Sequence, residues 1–214
     1  MMFSRTTALA TALTALLVAA AVAASGLAGG LLVAGSTAQT TQQADGPTEV
    51  TSCTTLDESG TYVLTQNLSA EGVGPCLDVT ASEVVVDGNG YTVDGESATT
   101  GADAGVHAHG GGSNVTVRNL TVTEFSTGVA VENVSDGAVE AVTATANDAG
   151  VVVDNATDVT VRDSTLSAND YDAVRLTGQV DGATLTSNTL LRNGGAGVVG
   201  EEARGNVSVT HNDV

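Results

Sequence analysis

Residues 113–134, 135–156 and 157–179 read SNVTVRNLTVTEFSTGVAVENV, SDGAVEAVTATANDAGVVVDNA and TDVTVRDSTLSANDYDAVRLTGQ, segments of 22, 22 and 23 residues cut at equivalent points. Residues 180–203, VDGATLTSNTLLRNGGAGVVGEEA, form a fourth segment of 24, and RGNVSVTHNDV begins a fifth. Aligned, they give four apolar columns. The first is Val117, Val139, Val161, Leu185 and Val209, and the second Val122, Ala144, Leu166, Leu190 and Val214. The third is Val129, Val151, Val174 and Val198, and the fourth Val131, Val153, Leu176 and Gly200. Within a segment the apolar residues lie two apart in short runs (115 and 117, 120 and 122, 129 and 131), the period of a strand with alternate side chains turned inward. Three such runs in so short a repeat leave no room for a helix. The leucine framework of a leucine-rich repeat is missing, with Gly and Asn turns in its place. The expected fold is all-β: a single-stranded right-handed parallel β-helix of about five to six coils with three short strands per coil.

A coil of this kind cannot satisfy its own backbone. Its N–H and C=O groups bond to the coils above and below, about 4.8 Å away, so like side chains stack on like. One inward column changes character along the stack: Leu120, Val142, Ser164, Asn188, Asn212. Ser164, Asn188 and Asn212 are expected to form a polar ladder at a turn, or to serve simply as turn residues.

Upstream, Glu83 to Gly95 (EVVVDGNGYTVDG) reads as strand, tight turn, strand, and is taken as the first coil of a repeat region 83–214. Gly105-Val106-His107-Ala108 aligns with Gly128-Val129-Ala130-Val131, with inserts at 96–104 and 110–112. Residues 51–82 are expected to cap the N-terminal end of the core, tied by a disulfide between Cys53 and Cys76, the only cysteines. A two-thiolate metal site is the alternative, but the pair lacks CxxC spacing and neighbouring histidines.

The first 38 residues read as an export element: Arg5, an apolar run from Ala8 to Ala34, then Ser36-Thr37-Ala38 as a peptidase-readable end. The run is also long enough to cross a bilayer, so the segment is either a signal peptide or a transmembrane helix that anchors the chain through residues 8–34. Both place the remainder outside the cytoplasm, secreted or held at the outer membrane face. Residues 39–50, polar and containing Pro47, read as a linker.

The formal net charge is −19, from 25 acidic residues against six arginines and no lysine. Such a surface repels phosphate backbones and excludes nucleic acid as a partner. It also repels acidic polysaccharides unless cations screen or bridge the contact. The charge is spread along the chain, which suits hydration in concentrated salt better than a focused cationic ligand. Aromatics make up only 2% of the chain, which argues against a deep carbohydrate groove lined with stacking platforms.

The Cys53–GTYVLTQNL–Cys76 opening, the VVVDGNGYTV coil and the NVTVRN and GVAVEN segments resemble right-handed parallel β-helix proteins typified by pectate lyases and periplasmic copper-site maturation proteins. They are similar to members secreted by halophilic archaea. The resemblance spans residues 51–214 and is specific for fold. It implies little about activity, since that superfamily holds lyases, hydrolases, epimerases, binders and structural proteins.

Outward positions stack as well. If Val106 and Ala108 face in, His107 and His109 face out, and His109 heads the column His109, Glu132, Asp154, Thr177, Glu201. A divalent cation, calcium or copper, would take His107, His109, Glu132 and Asp154 as ligands. For catalysis the resemblance implies carboxylates plus a basic group, and only Arg175, Glu132 and Asp154 answer by position; an acidic surface with carboxylates aligned by chance explains them equally. Of six Asn-x-Ser/Thr sequons, Asn133, Asn155 and Asn114 are the expected glycosylation sites.

The functional expectation is a non-catalytic extracellular β-helix module that binds a glycan or cell-surface component, or a cation. The alternatives are a polysaccharide-active lyase or hydrolase and a metal-handling protein. End-to-end stacking on a partner at the last coil, which stops at Val214, is a further expectation.

Overall fold

A computed structural model describes residues 46–95 and 103–214. The chain divides into a compact unit, Gln43–Val214, and a preceding one, Met1–Gln42, that lies outside the described residues together with the export element. Residues 46–95 and 103–214 form a right-handed parallel β-helix of about seven turns, and every strand pairing among these described residues is parallel.

Three sheets run along it. The eight-stranded sheet stacks β1 (Thr48–Val50), β3 (Gly60–Leu64), β6 (Val84–Asp87), β9 (Val115–Arg118), β12 (Ala138–Glu140), β15 (Thr160–Arg162), β18 (Ala183–Thr186) and β20 (Val207–Thr210). The five-stranded sheet stacks β4 (Leu68–Ser69), β7 (Thr92–Asp94), β10 (Thr121–Thr123), β13 (Thr143–Thr145) and β16 (Thr165–Ser167). The seven-stranded sheet stacks β2 (Thr54–Leu56), β5 (Leu77–Val79), β8 (Ala104–Ala108), β11 (Thr127–Glu132), β14 (Ala149–Asp154), β17 (Val174–Gln179) and β19 (Val198–Arg204).

The register is the one the repeat implies. Val117 pairs with Val139, Val139 with Val161, Val161 with Leu185 and Leu185 with Val209. Val129, Val151, Val174 and Val198 align in the seven-stranded sheet, and Val122, Ala144 and Leu166 in the five-stranded one. Val117, Val139, Val161 and Leu185 are almost wholly shielded from solvent. Each buried Val or Leu contributes roughly 1.5–3 kcal/mol as an upper figure, and only the stack shields it.

The solenoid begins earlier than residue 83. β1, inside the stretch read as a linker, pairs with β3, and β3 pairs with β6. β2 and β5, within the stretch read as a cap, carry the seven-stranded sheet. Residues 83–95 form a corner rather than a hairpin, because β6 and β7 lie in different sheets. Cys53 and Cys76 form the disulfide, with Cα atoms 4.5 Å apart. It ties the second rung of the seven-stranded sheet to the first.

The expectation of a transmembrane helix is corrected for the described residues. They contain only strands, turns and irregular backbone, and none of them forms a helix long and apolar enough to cross a membrane. The physical reason is the period-two alternation, which turns every other side chain outward and leaves no all-apolar helical surface. The apolar run 8–34 on which that expectation rested lies outside the described residues.

Two buried polar ladders turn the corners. In one, the Val142 N–H donates to Ser164 Oγ (3.1 Å), the Ser164 N–H to Asn188 Oδ1 (3.1 Å), and the Asn188 N–H to Asn212 Oδ1 (2.9 Å). The Asn188 and Asn212 amides also donate to the Val161 and Leu185 carbonyls. The other joins Asn147, Asn169 and Asn193. The Phe125 N–H donates to Asn147 Oδ1 (3.0 Å), the Asn147 N–H to Asn169 Oδ1 (3.1 Å) and the Asn169 N–H to Asn193 Oδ1 (3.1 Å). Their amide nitrogens reach the Val122, Ala144 and Leu166 carbonyls. Gly128 and Gly150 sit against this ladder. A Cβ on Gly150 would lie 2.6 Å from the Ala173 carbonyl and 3.1 Å from Asn169 Nδ2, so the corner admits no side chain there.

Asn169→Ala orphans the Asn147 N–H and the Ala144 carbonyl in a dry corner. The expected loss is about 1–3 kcal/mol per unsatisfied group, read as a lower urea midpoint. Exposed Asp170→Ala should leave that midpoint unchanged. Cys53→Ser with Cys76→Ser, which opens a loop of 23 residues, should lower stability by about 3 kcal/mol in the same measurement.

Candidate functional site

The outward face of the seven-stranded sheet gathers the histidines and carboxylates that the sequence singled out. Alternation on β8 turns Val106 and Ala108 into the core and His107 outward, and the N–H of His109 still joins the ladder through the Val79 carbonyl (3.0 Å). Register places Asp78 beside His107, and His107 beside Ala130. The side chains cross these rows diagonally. His109 Nε2 lies 2.8 Å from Asp78 Oδ1, one rung back, and His107 Nε2 lies 3.2 Å from Glu132 Oε2, one rung forward. With the proton on Nε2, each imidazole donates to its carboxylate. The two rings stack, centroids 4.4 Å apart and planes 25° from parallel.

Asp78, His107 and His109 each offer one donor atom, all within 4.8 Å of one another, and all three residues are half-buried. This cluster has the composition to accept a divalent cation. Of the four ligands expected from sequence, His107 and His109 belong to it, Glu132 adjoins it, and Asp154 does not. Asp154 accepts a hydrogen bond from Thr177 Oγ1 (2.7 Å) and another from the Asn155 amide (3.1 Å). Asp78 had no sequence signal, because it lies 29 residues before His107 rather than one regular coil.

Arg175 faces outward on β17, but its guanidinium is engaged. Nε and Nη2 both donate to Asp172 Oδ2, at 3.1 and 2.8 Å, and Glu201 stands 4.0 Å away. Asp172 is itself buried and accepts from the Ala196 N–H (2.8 Å). Beyond Arg175 the pairing with β19 slips between Thr177 and Gln179, with Gly178 (φ 65°) and Glu202 (φ 54°) in the left-handed region. This irregularity opens a cleft of about 530 Å³ lined by Thr177, Gly178, Glu201 and Glu202.

A second groove, of about 420 Å³, lies at the corner between the eight- and five-stranded sheets, lined by Asp87, Asn89, Asn119 and Thr143 among others. Burial alone would raise the Asp87 carboxyl. Hydrogen bonds from the Asn89 N–H, the Asn119 amide and the Arg118 guanidinium outweigh it and hold the group below the usual carboxylate range. All six sequon asparagines are exposed, and Asn114, Asn119, Asn133 and Asn155 occupy left-handed turns. The Asn155 side chain accepts from the Gln179 N–H (3.0 Å), so it is braced against the next rung.

A family model described as "Right handed beta helix region" matches residues 49–214, more than half of the sequence. The chain belongs to that family. Among curated proteins none matches it. Solved structures align over most of its length. A candidate glycosyl hydrolase from Parabacteroides merdae superposes with a TM-score of 0.51 at 14% identity, over 72% of this chain and 79% of that one. The A-module of the mannuronan C-5 epimerase AlgE4 from Azotobacter vinelandii gives 0.40 at 16% identity, over 78% and 66% of the two chains. The enzymatically active domain of bacteriophage CBA120 tailspike protein 2 gives 0.34 at 11%, over 76% and 41%. At these identities the first likeness establishes the shared fold and nothing about chemistry.

The Asp87 carboxyl gives a pH test. Its folded pKa is depressed, so its stabilisation is present above the unfolded value of about 3.9 and is lost as pH falls through the lower folded value. The stability gap between wild type and Asp87→Asn should therefore be full at neutral pH. It should narrow only in acid, below about pH 3.9, in urea melts across the acid range.

Proposed function

We propose that this chain works outside the cytoplasm as a polysaccharide-handling β-helix, with an extended glycan lying along the seven-stranded face. One observation carries the reading: two outward columns of opposite character run side by side there. Ala130 and Val152, in register with each other and flanked in the same column by His107 and Arg175, give a short, low apolar strip. Glu132, Asp154, Thr177 and Glu201 give an adjoining row of acceptors and one hydroxyl, which ends in the cleft beside Gly178. A sugar ring has the same two sides, a C–H face and a rim of hydroxyl donors. Rungs about 4.8 Å apart present acceptors at a step close to the length of one hexose. The acid row favours a neutral or amino-bearing glycan, and a uronate would need cations to bridge it. The export segment supports the location, and the acid excess supports a life in concentrated salt of the kind suggested by the resemblance to halophilic secreted proteins.

A catalytic version of this reading rests on His107 and Glu132. A carboxylate hydrogen-bonded to one nitrogen of an imidazole orients the ring and leaves the other nitrogen to accept a proton, the arrangement a general base needs beside a substrate. Arg175 is not that base, since its charge is committed to Asp172 and a guanidinium does not deprotonate near neutrality.

The test is a panel of neutral, amino and uronic polysaccharides in molar salt, assayed for retention and for turnover. Retention should fall at least tenfold, about 1.4 kcal/mol, in Glu132→Ala/Asp154→Ala. Any turnover should vanish in His107→Ala while retention persists. A protein that retains nothing on the panel, or whose retention ignores the double substitution, sinks the proposal.

A further inference from the structure

We propose that Asp78, His107 and His109 form a binding site for a borderline divalent transition ion such as Zn²⁺ or Cu²⁺, with Glu132 closing the coordination, and that the site discriminates against Ca²⁺. The ligand set comes from the stacking of two rungs. His107 and His109 project from one strand on the same side, two residues apart, and Asp78 rises from the rung behind, in register with His107. Their donor atoms already lie within 4.8 Å of one another. Bound to one tetrahedral ion at about 2.0–2.2 Å, such donors would stand roughly 3.3–3.6 Å apart, so small side-chain rotations close the site and the backbone need not move.

Both imidazoles are held for this role. Each turns Nε2 toward a carboxylate, at 2.8 Å for His109 with Asp78 and 3.2 Å for His107 with Glu132. For Nε2 to bind the ion, each neutral imidazole carries its one proton on Nδ1 instead, and the ion then takes the place of the N–H between ring and carboxylate and leaves the carboxylates compensated. The ring stack fixes the two imidazoles relative to each other, which lowers the entropy lost on binding. The surroundings are half-buried, with side-chain exposures of 25% for His107, 34% for His109 and 28% for Asp78, so the site is open to ions yet partly desolvated.

Donor chemistry decides the ion. Two neutral imidazoles with one or two carboxylates suit zinc and copper, whereas calcium requires six to eight oxygen donors. Calcium is therefore not the ion this cluster selects, although scattered surface carboxylates will attract it weakly at low salt. Asp154 is not a ligand, being held by Thr177 and Asn155. The site shares His107 and Glu132 with the proposed glycan face but needs no glycan, so the two readings can fail separately.

The experiment is calorimetry of the purified exported portion in molar salt with Zn²⁺, Cu²⁺ and Ca²⁺, without any glycan, together with electron paramagnetic resonance of the copper-loaded protein. Expected are one Zn²⁺ or Cu²⁺ per chain, a copper spectrum with nitrogen hyperfine structure, and no saturable Ca²⁺ binding. His109→Ala and Asp78→Asn should each weaken Zn²⁺ binding at least tenfold, and exposed His211→Ala should leave it unchanged. Circular dichroism of each variant checks that the coil stack is intact. Absence of stoichiometric Zn²⁺ or Cu²⁺ binding, equal affinity in folded His109→Ala, or a Ca²⁺ site lost on the same substitutions overturns the proposal.

Discussion

The backbone hydrogen bonds between successive rungs are the constraint on which everything else depends. A single coil has three short strands and no partner for their N–H and C=O groups, so no rung is stable alone. The Glu83 N–H reaches the Ser113 carbonyl, the Asn119 N–H the Glu140 carbonyl and the Asn155 N–H the Thr177 carbonyl, always one turn along. This fixed step forces equivalent residues into columns. The columns then decide what the interior tolerates: Val on Val where strands stack, and small or polar residues where the chain must turn.

Corners are where the same rule bites hardest, because the backbone leaves the sheet and its groups still need partners in a dry interior. The Asn147–Asn169–Asn193 ladder answers this with side chains that imitate a peptide unit. Each offers a carbonyl to the rung behind and an amide to a backbone carbonyl of that same rung. The ladder needs room, which Gly128 and Gly150 provide. Phe125 fills the equivalent inward place one rung before Asn147, where the ladder ends. Polar satisfaction and close packing thus specify the corner together, and neither alone would fix the register.

How much of this could be read in advance follows from the regularity of the repeat. From 113 onward, coils of 22 to 24 residues align with only single-residue insertions, and the pairings of Val117, Val129 and Val122 follow from the period. Before 113 the spacing between paired residues varies, 31 from Val86 to Val117 and 29 from Asp78 to His107. The inserts hide the period, so rungs carrying β1 to β5 passed for a linker and a cap. Asp78 was lost for the same reason, and a cluster of His107, His109, Glu132 and Asp154 stood in its place. The second ladder left a trace, Asn at 147, 169 and 193. Its neighbours Asp148, Asp170 and Gly194 gave it the look of a turn, and only burial separates the two. The diagonal lean of the imidazoles has no sequence signal, since it depends on rotamers.

Electrostatics then separates the faces of an otherwise monotonous prism. The arginines are largely spent inside the stack's own charge pattern: Arg118 on Asp87, Arg162 on Glu140 and Asp163, Arg175 on Asp172. These pairs join or brace neighbouring rungs and add little outward field. The acid row of the seven-stranded face faces solvent beside two histidines, the only such pairing among the described residues. Along that face the row's carboxylates have two neighbours of other character, the imidazoles of His107 and His109 at one end and the Arg175 guanidinium, 4.0 Å from Glu201, toward the other. By elementary electrostatics such a row repels a uronate and attracts a divalent cation, and leaves a neutral sugar unaffected. The charge pattern therefore distinguishes this face from the other two, and the corner ladders hold the rungs that carry it in fixed register.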